Sequence, residues 1–311
     1  MKYRPLGTTG MLVSQVGLGG WQLTNPSWGM HDAGEATRIV EAAADAGCNF
    51  FDTAPGYASG RSEELLGRAL KPLRSKVLLC SKFGHSPEGV TNFGVEALRP
   101  SIEASLKRLQ TDYLDVLLVH NPPADVLDGN STSLYEELQR LKAGGLLRSY
   151  GVSVDSSADL EKVMATTQCG VVEILFNVFH QEPRRAFAEA KHRGIGLIAK
   201  VPLDSGWLSG KYRADTRFIG VRNRWSPEVI ARRTELVDKL KALLPPNLSL
   251  SHAALGYILA QSEISTVIPG AKTVQQLHDN LSAAEAELSS ATTQLMQAFW
   301  EQELEAAPLP W

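Results

Sequence analysis

LDVLLVHNP, residues 114–122, runs apolar from Val116 to Val119 without a break and then turns polar at His120 and Asn121. A strand with one face in water alternates apolar and polar residues. An unbroken run suits a strand covered on both faces, which is the condition of parallel strands with helices packed over them. The same pattern returns in VLLCSKFG (77–84), VVEILFNV (171–178) and GIGLIAKVPL (194–203). Weaker versions occupy 16–18, 49–53, SYGVSV (149–154) and STVIPGAK (265–272). Helix-period segments lie near 33–46, 61–70, 94–110, 133–144, 156–167, 183–193, 251–262 and 273–284. Residues beyond 203 read as a long irregular segment before the last units. Eight strand–helix units over 311 residues predict a (β/α)8 barrel, one domain spanning 1–311. Before it, KYRPLGTTGMLVS predicts a short hairpin turning at Gly7 to Gly10. The competing architecture, a doubly wound sheet, needs G-x-G-x-x-G after its first strand. Here Gly17 and Gly19 are followed by Gln22 where the third glycine belongs.

Composition narrows the function. The chain is 43% hydrophobic and 21% charged, with a net charge of −3, and it has no basic block, so no nucleic-acid partner is expected. No apolar run approaches the ~18 residues of a membrane span, and MKYRPLGTTG lacks a signal-peptide pattern, so a cytoplasmic protein is expected. Cys48, Cys80 and Cys169 are scattered and predict reduced, buried thiols.

Barrel chemistry sits at the C-terminal ends of the strands. There the sequence places Asp52 with Tyr57 in FDTAPGY (51–57), Lys82 in VLLCSKFG, and His120 in LDVLLVHNP. These types fit one task. A tyrosine with a pKa near 10 is a weak acid at neutrality. An adjacent ammonium favours its phenolate, and a carboxylate keeps that ammonium charged. A histidine N–H then steadies an oxygen gaining negative charge. Singly, each residue has an ordinary explanation: a packing tyrosine, a structural ion pair, a turn histidine. Together on adjacent strand ends they predict a general acid and a clamp for a carbonyl oxygen.

With these residues in place, the chain resembles the aldo-keto reductases nearly end to end. The similarity runs through YRPLGTTGMLVSQVGLGGWQL, GCNFFDTAPGYASGRSEELLGRAL, SKFG, SIEASLKRLQTDYLDVLLVHNP, YGVSV, PLDSGWLSGKY and VIPGAKTVQQLHDN. The resemblance implies a (β/α)8 barrel that interconverts carbonyls and alcohols with a nicotinamide cofactor. Tyr57 would be the proton donor, Lys82 and Asp52 its tuning pair, and His120 the carbonyl-orienting donor. It also implies cofactor contacts from Gly20, Trp21, Ser153, Glu173, Lys200, Pro202, Leu203, Ser205, Gly206, Leu208 and Lys211, then Gly270, Lys272, Thr273, Gln276 and Asn280. Lys272 and Thr273 would lie near a 2′-phosphate and Asn280 near adenine. NADP(H) is favoured and NAD(H) is the alternative, since Gln276 stands where many relatives have arginine. Ser205, Gly206, Ser209 and Gly210 are small enough for backbone N–H groups to approach a pyrophosphate.

Three positions depart from the family pattern. Lys200 replaces the aromatic expected against the nicotinamide. Val154 and Glu173 replace an Asn and a Gln that commonly hold its carboxamide beside Ser153. Glu173 is expected to accept from the carboxamide NH2 and to pair with Lys200. Trp21, residues 25–31, the loop 85–93 and residues 218–225 are expected at the mouth, with Arg217, Arg222 and Arg224 facing an acidic substrate or cofactor phosphates. The tail 304–311 is too short for more than a small lid. The partner is a small carbonyl or alcohol, with a monomer or homo-oligomer both open. Two alternatives remain: a non-catalytic NADP(H)-binding subunit that senses redox state, and a metal hydrolase using Asp52, His120 and His180, for which no H-x-H or H-E-x-x-H motif is present. No metal is expected.

Overall fold

The computed structural model describes residues 1–285 and 287–310. Its centre is an eight-stranded parallel sheet, β3 (Leu18–Gly19), β4 (Phe50–Asp52), β5 (Leu78–Phe83), β6 (Leu114–His120), β7 (Leu147–Val154), β8 (Val171–Leu175), β9 (Gly196–Lys200) and β10 (Ile264–Val267), hydrogen-bonded in that order. A parallel bridge between Val16 and Val267 joins the two ends, with Gly17 N donating to Val267 O at 2.8 Å. The sheet therefore curls into a barrel.

The expected hairpin is β1 (Tyr3–Pro5) paired antiparallel with β2 (Leu12–Ser14). Its Leu6, Met11 and Val13 share one apolar cluster with Phe50, Leu78, Cys80, Val116, Leu118, Val171 and Ile198. Those strand residues alternate along β4, β5, β6, β8 and β9, so they point into the barrel, and the hairpin plugs its floor. Continuing each alternation upward gives Asp52 on β4, Lys82 on β5, His120 on β6, Ser153 on β7, Glu173 on β8 and Lys200 on β9. The interior is apolar below and charged in its top layer.

The other face of the sheet packs against helices through a second, larger apolar cluster. The helices are α1 (Ala33–Asp45), α2 (Arg61–Leu70), α3 (Val95–Leu109), α4 (Thr132–Ala143), α5 (Ser157–Thr166), α6 (Phe187–His192), α7 (Pro227–Leu243), α8 (Leu250–Leu259), α9 (Val274–Ser282) and α10 (Ser290–Glu303). The expected segments fall within a few residues of these. Several starts are capped by side chains: Asp32 accepts from Gly34 and Glu35 N, and Ser156 from Asp159 N.

The irregular segment expected after residue 203 contains a 17-residue helix, α7. Its start was written in the sequence, because Ser226 is the N-cap and Pro227 the first helical residue. Its buried stripe is thin, limited to Arg233, Leu236, Val237 and Leu240, which hid the helical period. The described part of the C-terminal tail is bonded to this helix: Arg233 donates to Pro310 O at 2.8 Å and Arg232 to Ala307 O. All three cysteines are free and buried. Among the described residues, no helix is long and apolar enough to cross a membrane.

Gly151 marks the tightest point of the wall. A Cβ there would sit 1.9 Å from the Val171 carbonyl oxygen on the neighbouring strand. Gly151→Ala is expected to lower stability by about 1–3 kcal/mol or more, as overpacking does, measured as a shift of the urea midpoint. An unchanged midpoint would contradict this strand pairing.

Candidate active site

Above the apolar interior the barrel opens into a cavity of about 900 Å³. Its floor is the charged top layer. Register places His120 opposite Ser153 and Ser153 opposite Glu173, one row across three strands. Tyr57 enters from the loop after β4, and its ring centre lies 6.0 Å from that of His120 and 6.1 Å from that of Trp21.

Lys82 is the hub. It is 1% exposed, and its Nζ donates to Asp52 Oδ2 at 2.5 Å and to Thr53 O at 3.1 Å. The same Nζ is 5.2 Å from the centre of the Tyr57 ring. The expected convergence of Asp52, Tyr57, Lys82 and His120 is therefore present. A second carboxylate also faces the ammonium, Glu173 Oε2 at 3.4 Å. Burial pulls the Lys82 ammonium down, but Asp52 and Glu173 overturn this and hold its pKa well above the ordinary value.

Glu173 was expected to pair directly with Lys200. The structure corrects this. Ser153 stands between them, with Lys200 Nζ donating to Ser153 Oγ at 2.8 Å and Ser153 Oγ donating to Glu173 Oε1 at 2.9 Å. The ion pair of Lys200 is with Asp155, at 2.8 Å, and a further bond reaches Asn121 Oδ1 at 2.7 Å. Register pairs Glu173 with Ile198 and Lys200 with Leu175, so Lys200 sits two residues higher on its strand, while Glu173 faces the Lys82 ammonium.

The expected lowering of the Tyr57 pKa is also corrected in its net direction. Burial raises it more than the Lys82 charge lowers it, so Tyr57 is a neutral phenol in the protein by itself. His120 is pushed well below its usual value by burial and by the charges of Lys82, Lys200 and His85. A neutral imidazole keeps one N–H, and its ring nitrogens make no hydrogen bond to other described residues. The backbone of His120 is held instead, since its carbonyl accepts from His85 Nε2 at 3.0 Å.

The far end of the cavity is cationic. Lys211, Arg222 and Lys272 line it, and among the described residues none of the three is ion-paired to a carboxylate. Asp279 on the same wall accepts from Gln275 at 2.9 Å. Burial, then Arg222 and Lys272, bring the Lys211 pKa down to about 8. Arg222 lies 4.3 Å over the Trp28 ring and donates to Ser205 O, and Lys272 Nζ donates to Trp28 O. These contacts put Arg222 on the Ser205 side of the cavity. Arg224 reaches the hydroxyl of the same residue at 3.4 Å. Three crowded cations without a carboxylate partner could hold an anion. A dinucleotide with a nicotinamide at one end and phosphates at the other fits a cavity that has proton-handling groups at one end and these cations at the other.

Of the expected cofactor residues, Trp21, Glu173, Lys200, Pro202, Leu203, Ser205, Gly206, Lys211, Gly270, Lys272, Gln276 and Asn280 line the cavity. Gly20, Ser153, Leu208 and Thr273 stand behind its wall. Gly20 N bonds Asp52 O at 2.7 Å, Leu208 is fully buried, and Thr273 is the N-cap of α9, accepting from Gln276 N at 3.1 Å. Phe218 and Trp225, expected at the mouth, are not among the residues lining the cavity and pack with Trp207 as an aromatic cluster. Sequence reasoning missed Asn121, His85 and Trp28 as individual site residues. Asn121 directly follows the strand-end His120 and has a left-handed φ of 47°, which turns its amide back toward Lys200. It supplies an amide beside Ser153 although Val154 does not.

With the geometry in hand, comparisons place the chain. The family model described as "Aldo/keto reductase family" matches residues 15–301. The L-galactose dehydrogenase of Arabidopsis thaliana is 32% identical, with 93% of this chain and 90% of that protein covered. A probable voltage-gated potassium channel subunit beta of the same plant is 29% identical over 92% of each. Among solved structures, the holo form of an aldo-keto reductase from Bacillus halodurans superposes with a TM-score of 0.83, at 26% identity over 96% of each chain.

Because its folded-state pKa is depressed, His120 stays neutral as pH falls through the range where a free imidazole charges. Its ring carbon resonances, assigned through His120→Gln, are expected to be flat from pH 8 to pH 6 in an NMR titration. A midpoint near 6.5 would contradict the buried, cation-flanked placement.

Proposed function

The chain belongs to the aldo/keto reductase family, enzymes that work with nicotinamide cofactors, and from that premise we propose that it interconverts a carbonyl and an alcohol with Tyr57 as proton donor. The observation that carries the reading is the buried Lys82 ammonium, 2.5 Å from Asp52 and facing the Tyr57 ring. The cofactor, when bound, supplies or accepts the hydride at the carbonyl carbon. Everything else falls to the protein. The Tyr57 hydroxyl and a His120 N–H face the same space, so one carbonyl oxygen can accept from both. As that oxygen gains negative charge, the Tyr57 proton moves to it. The phenolate left behind is stabilised by Lys82, whose charge favours that form against the cost of burial. His120 remains a neutral donor throughout.

Lys211, Arg222 and Lys272 would hold the cofactor phosphates, together with the Ser205–Gly206 turn and the N-terminus of α9. Lys272 is the residue proposed for a 2′-phosphate, which favours NADP(H) over NAD(H). Glu173 and Asn121 would meet the nicotinamide amide. Trp21 and Trp28 on the wall suit an apolar or sugar face of a small substrate.

The second reading, a redox-sensing subunit without turnover, is favoured by the channel-subunit relative. The four assembled groups favour the enzyme, since binding alone needs no phenol–ammonium pair. The metal-hydrolase alternative needs His180 at the site, and His180 bonds the Asp155 carbonyl at 3.0 Å, off the cavity wall.

Tyr57→Phe is expected to cut kcat for aldehyde reduction by about 10²–10⁴, the scale of general-acid catalysis, with cofactor Kd by fluorescence nearly unchanged. Substantial turnover by this variant would remove the proton-donor role. Lys272→Ala is expected to weaken NADPH about tenfold or more, the scale of one charge-assisted hydrogen bond, and NADH far less. Equal losses would contradict the 2′-phosphate assignment.

A further inference from the structure

The buried charges beneath Tyr57 do not balance. Lys82 is one ammonium between two carboxylates, Asp52 and Glu173, all at most 2% exposed. The nearest other cation, Lys200, is already paired with Asp155. One oxygen of each carboxylate and Cys80 Sγ lie within 4.8 Å of one another, and Glu173 Oε2 is buried with no hydrogen-bond partner among the described residues. Two ionised carboxylates this close repel each other. A net negative charge held by buried side chains is costly. A proton on one carboxyl removes both problems.

Other groups facing the pair are Cys80 and Lys82 on β5, Tyr57 after β4, His120 on β6 and Lys200 on β9. Burial keeps the Cys80 thiol and the Tyr57 phenol neutral, and His120 is neutral as well. None of these three supplies a positive charge, and the charge of Lys200 is shared with Asp155. We propose that Asp52 and Glu173 hold one proton between them, so that Glu173 is a positioning residue that makes the carboxyl end of the Tyr57–Lys82 relay a proton store rather than a fixed counter-charge. Burial and the Glu173 charge push Asp52 up to about 8, while Lys82 and Lys200 override burial to keep Glu173 low. The two carboxyls therefore titrate as one coupled pair rather than as separate groups.

The inference rests on the nicotinamide reading above. In carbonyl reduction, a hydride from the reduced nicotinamide forms the new C–H bond and the Tyr57 O–H proton forms the new O–H bond. The phenolate takes a proton from Lys82, and Lys82 takes the stored one from the carboxyl pair. The pair ends as two carboxylates, so the site loses one positive charge as the cofactor gains one. Solvent refills the store when the oxidised nucleotide leaves.

The test is proton linkage by calorimetry. NADP+ and NADPH are titrated into the enzyme at pH 7 in two buffers of different ionisation enthalpy, and NAD+ and NADH are used if these do not bind. Both forms bring the same phosphates to Lys211 and its neighbours, so the difference between them isolates the nicotinamide end. The oxidised form is expected to release about one proton more than the reduced form. Its Kd should tighten about tenfold per pH unit up to roughly pH 8 and then level off. In Glu173→Gln, which removes one of the two carboxyls and keeps the side-chain shape, the difference should fall to about zero. Equal proton counts for the two forms in the wild type would overturn the shared proton, and so would a full difference retained in Glu173→Gln. Absence of binding heat with every nucleotide would overturn the cofactor reading beneath it.

Discussion

One ammonium inside a barrel organises this protein. Lys82 hangs from the middle of a parallel sheet with almost no solvent around it, a position that is costly unless its charge is met. Asp52 meets it on one side and Glu173 on the other. Those two contacts fix the height at which the interior turns from apolar to charged, and they fix where Tyr57 must lie to feel that charge. The hairpin at the opposite end serves the same economy, since by plugging the floor with Leu6, Met11 and Val13 it leaves the mouth as the open end.

Parallel strands make this possible because every second residue points inward and every strand ends on the same side. A substitution at the last inward position of a strand changes the chemistry without touching the wall. This chain uses that freedom at Glu173 and Lys200. Their charges are linked through Ser153 and settled by Asp155 and Asn121, which ties four strand ends into one polar network. The cations at the other end of the cavity obey a different logic. They repel one another, and none of them is ion-paired to a carboxylate among the described residues.

Much of this was legible in the sequence because it depends on position along a strand. LDVLLVHNP and its counterparts gave the barrel, and the polar residue closing each run gave Asp52, Lys82 and His120. What depended on competition between neighbours was not legible. Nothing in the chain says that Glu173 turns to Lys82 and leaves Lys200 to Asp155, because that choice is made across the barrel axis. The net direction of the Tyr57 shift was also hidden, since burial and a nearby charge oppose each other and only coordinates show which is larger. Asn121 escaped notice because its role comes from a left-handed backbone turn rather than from its strand. Helix α7 escaped because its buried stripe is thin, even though Ser226 and Pro227 announced its start.

The central claim is that the Lys82-centred group governs hydride exchange between a nicotinamide and a carbonyl carbon in this cavity. The most direct measurement follows deuterium from C4 of the labelled reduced nucleotide into product, in the wild type and in Lys82→Met. The account predicts label on the carbinol carbon in the wild type, and a variant that still binds the nucleotide but transfers almost none. Product labelled equally by both proteins, or alcohol formed without label, would contradict it.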